Sequence, residues 1–100
     1  MKTSELSGIA LDWAVGKCEG LLLGEDEVGE FRYSSDWAQG GPIIEREDIS
    51  IQSPDEVCPS LWAAKHGELF SFGSTPLIAA MRCYAASRFG NKIEIPKELL

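Results

Sequence analysis

No run or stripe of lysine and arginine occurs in these 100 residues, and the formal net charge is -7. A phosphate backbone is bound by neutralising it, so direct nucleic-acid binding is not expected. Histidine is reduced to one residue, His66, and the three cysteines, Cys18, Cys58 and Cys83, form no CxxC pair. That set builds neither a disulfide framework nor a zinc cage; reduced thiols, with no metal and no cofactor, are the expectation. Apolar runs are short everywhere, well under the roughly 20 residues that span a bilayer, and no basic start precedes a long apolar stretch. A membrane segment or cleaved leader is therefore not expected, and the reading is a soluble cytoplasmic protein.

What is present is enough for one core. A chain of this length buries only about two-thirds of its unfolded surface, which sustains a single domain, 1–100, rather than two. It is 44% apolar and 25% charged, inside the globular range. The acidity is concentrated: between Glu25 and Glu56 ten acids face two bases, Arg32 and Arg46, a net of -8, while the remainder is close to neutral. Basic proteins are the partners such a span favours.

The pattern predicts two helices. "SELSGIALDWAVGKCE", about 4–19, places Leu6, Ile9, Ala10, Leu11, Trp13, Ala14, Val15 and Cys18 over most of its circumference and leaves Asp12 and Glu19 on a narrow polar edge, with Gly20 as the stop. The second, about 76–89, has both ends marked: Thr75 as N-cap, Pro76 at the first position and Gly90 after the last. Its Ala79, Ala80, Cys83 and Ala86 form a small-residue face open to close backbone approach. Two helices so broadly apolar need a shared sheet or a second copy of the chain to cover them, so a homo-oligomer is a live expectation.

Between them the chain reads as short strands. "EFRYS", "ISIQS" and "ELFSF" alternate, the last with Phe70 and Phe72 on one face; His66-Gly67 predicts a hairpin turn with Trp62 at its base; "SPDEVCPS" reads as an exposed loop and "KIEIP" as a last strand. The expected fold is α+β, a small, mainly antiparallel sheet with two helices packed on one face.

Catalytic chemistry finds little purchase. "KHGE" has the H-x-E half of a zinc-deaminase signature without the P-C-x-x-C half, and a serine or cysteine nucleophile would have only His66 as base. A carboxylate pair drawn from Asp36, Glu45, Glu47 and Asp48 reads as a solvated face. No catalytic residue is assigned. In "FGSTPL", Ser74 and Thr75 open a helix and could accept an anion, although simple capping is the favoured reading.

The stretch "DWAQGGPIIERE" carries more. Gly40-Gly41-Pro42 predicts a tight turn, and Trp37 before it either plugs the core, the favoured reading, or stands outward as a contact residue. In the outward case Asp36, Trp37, Gln39, Gly40, Gly41, Glu45 and Glu47 form an acidic recognition edge.

Three blocks, "MKTSELSGIALDWAVGKCEG", "SSDWAQGGPIIERE" and "STPLIAAMRCYAASRFGNKIEIPKELL", together resemble the NinX-like family of small proteins of lambdoid bacteriophages and prophages. Trp13, Trp37, Gly40, Gly41, Pro42, Pro76 and Arg82 fall inside them. The resemblance implies a phage accessory protein expressed in the bacterial cytoplasm and brings no family catalytic residue. The expected function is a non-catalytic protein-binding module acting through the acidic Trp37 edge, its partner unidentified and a host factor among the candidates. The alternative is a small-ligand or nucleotide-binding protein, an enzyme included, with a site between the Trp37 loop and the Thr75 helix start. A third idea is that the acidic span imitates DNA.

Overall fold

The structure, a computed structural model, describes residues 2–20, 31–56 and 59–95. The thiol of Cys58, the acids between 25 and 30 and the expected strand end at Pro96 lie outside them. A 3-10 turn at Thr3–Glu5 precedes helices α1 (Gly8–Cys18) and α2 (Trp37–Glu47), strands β1 (Ser50–Gln52), β2 (Trp62–His66) and β3 (Leu69–Gly73), and helix α3 (Pro76–Phe89). The strands form one antiparallel sheet in the order β1-β2-β3. The chain is α+β with a small antiparallel sheet, as the sequence predicts, and carries a third helix where a turn was expected.

Helix α3 is the axis of the molecule. Its start is fixed by Thr75 Oγ1, which accepts from the Ile78 N–H at 3.1 Å, and by Pro76; its end is Gly90, with φ 77°. Leu77, Ala79, Ala80, Met81, Cys83, Tyr84 and Ala85 are all buried. The reason a helix can be apolar almost all round is that neighbours cover it on several sides: β2 and β3 lie against it, and so do α1 and α2. Each large side chain buried this way contributes about 1.5–3 kcal/mol. Close approach is literal at the helix start, where a Cβ added to Gly73 would stand 2.7 Å from the Ala79 nitrogen.

In the sheet, Ile51, Ala64 and Ser71 are aligned on the side facing α3, and Ala63 and Lys65 pair with Phe72 and Phe70 on the other. Phe70 and Phe72 share a face as predicted, and that face is open, with the two rings 55% and 46% exposed. The hairpin has Trp62 at its base, but His66 ends β2 and the two loop residues are Gly67 and Glu68. Gly67 takes φ 62° and Glu68 a negative φ, the type II′ arrangement that places glycine first.

Four expectations are corrected. The first helix does not run unbroken over 4–19: Leu6 and Ser7 are extended because tertiary bonds hold the segment elsewhere, Arg82 Nε donating to Leu6 O at 2.6 Å and Thr3 Oγ1 to Gly90 O at 2.8 Å. The described part of "EFRYS" is a turn, not a strand, closed by the Ser35 and Asp36 N–H groups on Arg32 O, with the Phe31 and Tyr33 rings stacked 5.9 Å apart. The described part of "KIEIP" contributes an isolated bridge, Lys2 to Lys92, in place of a strand.

The largest correction concerns Gly40-Gly41-Pro42, which lies inside α2. Asp36 caps this helix by accepting from the Ala38 N–H at 2.9 Å. Pro42 is tolerated because the bond it omits would have been to the Ala38 carbonyl, and both residues lie on the exposed side, where water serves. The helix ends in a Schellman motif: Ile49 N–H reaches Ile44 O, Asp48 N–H reaches Glu45 O, and Asp48 occupies the left-handed region at φ 55°.

Candidate functional site

The turn before α2 is held from α1. Asp12 projects from α1 beneath it and is only 6% exposed, and its Oδ1 accepts from both the Ser34 N–H at 2.9 Å and the Ser34 hydroxyl at 2.7 Å. Burial pushes the Asp12 carboxyl above its ordinary value, although both Ser34 bonds oppose the shift. The sequence reading put Asp12 on a polar edge of α1. The structure points that edge at the turn and at a cleft instead of open solvent.

This cleft, about 370 Å³, is walled by Ile9, Asp12, Phe31, Arg32 and the serines Ser34 and Ser35. Ser34, Ser35 and Ile78 also line an adjoining cleft of about 230 Å³, whose far wall is Trp37, Thr75 and Leu77. The starts of all three helices therefore meet here, and Trp37 and Thr75, far apart in sequence, face one depression. Trp37 is 53% exposed on its rim, and Ile9 is exposed to the same degree. The favoured expectation that Trp37 plugs the core is overturned: as the first residue of α2 it points outward, resting over Gly41 one turn on.

The other expected edge residues divide. Asp36 and Gln39 lock the helix start, Gln39 Oε1 accepting from the Arg32 N–H at 2.8 Å and Gln39 Nε2 donating to Asp36 Oδ2 at 3.3 Å. Gly40 presents no surface. It is buried, and an added Cβ would meet Leu77 Cδ1 at 2.6 Å and the Tyr33 carbonyl oxygen nearer still. Glu45 is exposed, and Glu47 lies at the opposite end of α2, roughly 15 Å along its axis from Asp36. Ser74 is exposed beside the cleft start, and the Thr75 hydroxyl oxygen is engaged as the α3 cap.

Glu47 belongs to a different construction. Arg46 donates to Glu19 through both terminal nitrogens, at 2.9 and 2.7 Å, and through Nε to Glu47 at 3.1 Å. The Tyr84 hydroxyl donates to Glu19 Oε2 at 2.6 Å and accepts from Arg46 at 3.1 Å, and Arg88 and His66 approach Glu47 Oε1 at 3.3 and 3.6 Å. His66 is thus a half-buried strand end, not an exposed turn residue. Arg46 holds the Glu19 carboxyl below its ordinary value, and burial together with Glu19 pushes the Tyr84 hydroxyl up to about 12. Cys18, nearby, is pushed up to about 12 by burial, which leaves a thiol without nucleophilic character.

Sequence reasoning missed Asp12, Ser34, Ile9, Phe31 and Ile78 as parts of one site. The single usable signal was Asp12, a lone acid within an otherwise apolar stretch of helix. Among the described residues no helix is long and apolar enough to cross a membrane. Comparison with curated proteins finds no match. A family model described as bacteriophage P22 NinX matches residues 2–88, the span that includes every element of the fold except the final residue of α3 and the Lys92 bridge. By that match the chain belongs to the bacteriophage P22 NinX family and is a phage accessory protein.

Proposed function

We propose that this NinX-family chain is a non-catalytic binding module that engages another protein in the host cytoplasm through the Trp37 rim. One observation carries the reading: the Trp37 indole is more than half exposed, beside an equally exposed Ile9, around clefts lined by Phe31 and Ile78. Tryptophan is the residue type most enriched among binding hot spots, and a rigid helix start holds it without further ordering. Asp12 lines the same depression, which suits a partner presenting basic or hydrogen-bond-donating groups.

The test is affinity capture from bacterial lysate with wild type, Trp37→Ala and Trp37→Phe, each checked for native circular dichroism. The expected result is a protein retained by wild type, lost with alanine and partly recovered with phenylalanine. Identical retained sets from wild type and Trp37→Ala would defeat the proposal.

A small-ligand reading is favoured by one separate observation, that Ser34, Ser35 and Thr75 face Trp37 across the cleft at the helix starts. Thermal-shift screening against nucleotides and phosphorylated metabolites distinguishes the two, since a ligand at a hundredfold excess over Kd adds about 2.7 kcal/mol to apparent stability. A shift abolished by Trp37→Ala would replace the protein-binding reading.

A further inference from the structure

We propose a second binding site, separate from the Trp37 clefts, that takes a small organic anion between Lys2 and Lys92. The pocket is about 390 Å³, a size suited to a small molecule, and is bounded by Lys2–Ser4 on one side, Asn91 and Lys92 on another, and Leu69, Phe70, Ser71 and Ala86 as its floor. It lies on the flank of β3, whereas the Trp37 clefts lie at the helix starts.

Three observations point to an anion. In a molecule of net charge -7, both charged residues lining this pocket are lysines. They are also placed directly opposite each other, in the antiparallel Lys2–Lys92 bridge, and like charges in that position repel. Neither has an ion-pair partner among the described residues; Glu5 and Glu94, the nearest acids in sequence, pair with neither. A negatively charged group between them relieves the repulsion that the bridge imposes.

The third observation is the backbone of β3. The two-residue hairpin loop makes His66–Leu69 a hydrogen-bonded pair, so Leu69, Ser71 and Gly73 turn their amides to β2, and Phe70 and Phe72 turn theirs to the free edge. Arg82 closes that edge at Phe72, its Nη1 donating to Phe72 O at 2.8 Å. At Phe70 no described residue closes that edge, and Phe70 lines the pocket. A ligand there meets two ammonium groups, the Asn91 amide, the Ser4 hydroxyl and the edge-facing Phe70 N–H, which has no partner among the described residues, with Leu69, Phe70 and Ala86 as an apolar wall for its carbon skeleton. The chemistry shared by the fitting ligands is a phosphate or carboxylate on a compact apolar body.

The experiment is an amide NMR titration of the full chain with phenyl phosphate and, separately, isophthalate, with benzyl alcohol as the neutral control. Saturable shifts confined to residues 2–4, 69–71 and 91–92, absent with benzyl alcohol and weakened at least tenfold in Lys2→Gln/Lys92→Gln, support the site; which anion saturates tells phosphate from carboxylate. The double variant is expected to melt no lower than wild type, because it removes a repulsive pair. Shifts that do not saturate, that persist unchanged in the double variant, or that centre on Trp37 would overturn the proposal.

Discussion

The two ends of the helical layer are built on opposite principles. Where α1 and α2 finish, Glu19, Arg46, Tyr84, Glu47 and Arg88 satisfy one another in a closed network, so that Glu19 and Glu47 are occupied by internal partners. Where the helices start, Asp12 and Asp36 hold the backbone of a turn, and the largest side chain, Trp37, is 53% exposed. The closed end gives stability and spends its charges on one another. The open end gives up part of its possible burial and offers a rim. A negative net charge on a segment therefore says little about recognition until the internal partners of each acid are known.

The contrast can be broken most severely at Gly40, where α2 touches Tyr33 and Leu77. Gly40→Ala is expected to lower unfolding free energy by about 2–3 kcal/mol, because the backbone of the turn cannot give way as a side chain could. Urea unfolding followed by circular dichroism measures it.

Next comes Glu19→Gln at the closed end, expected to lose about 1–2 kcal/mol at pH 7 by weakening a charge-assisted pair with a half-exposed arginine. The folded Glu19 carboxyl lies below its ordinary 4.5, so its contribution is complete above that value and disappears as pH falls through the folded value. The gap between variant and wild type should accordingly close in acid. A gap independent of pH between 7 and 3 would show that packing, not charge, holds this end.

A smaller effect of the other sign is expected one residue from Gly40. A Cβ on Gly41 meets only the Trp37 ring, at 3.8 Å, so Gly41→Ala should stabilise by roughly 0.5–1 kcal/mol and leave the indole exposed. A loss of stability would mean that α2 needs the glycine's freedom after all.

The smallest change at neutral pH is expected for Asp12→Asn, within about 0.5 kcal/mol, since the amide oxygen can still accept from Ser34 without a buried charge. Here the sign of the pH dependence reverses. The folded Asp12 value is raised above 3.8, so its favourable contribution is present below 3.8 and is lost as pH rises through the folded value. Stability profiles of the two variants against wild type should thus diverge in opposite directions between pH 7 and pH 3. Parallel profiles would remove the electrostatic distinction between the ends.

Much of the fold was legible. Thr75, Pro76 and Gly90 mark α3 to the residue, because caps act within one turn of the chain and need no tertiary partner. The hairpin was legible through Gly67, and the shared face of Phe70 and Phe72 through simple alternation. The site was less so. Gly40-Gly41-Pro42 has turn composition, yet Gly40 is there for a contact with Tyr33 and Leu77 that no local pattern encodes, and Pro42 is harmless only because its side of the helix is exposed. The direction of Trp37 depended on that same misjudged element: at a turn it could fold inward, at the start of a packed helix it cannot.

The sequence by itself determined the class of the fold and the placement of α3, because capping, alternation and composition are local properties of the chain. Only the tertiary structure decided which acids are occupied, that Asp12 lies under the turn before α2, and that Trp37 stands at the meeting of three helix starts. Those outcomes depend on which backbones approach closely, and close approach is settled by contacts between residues distant in the chain.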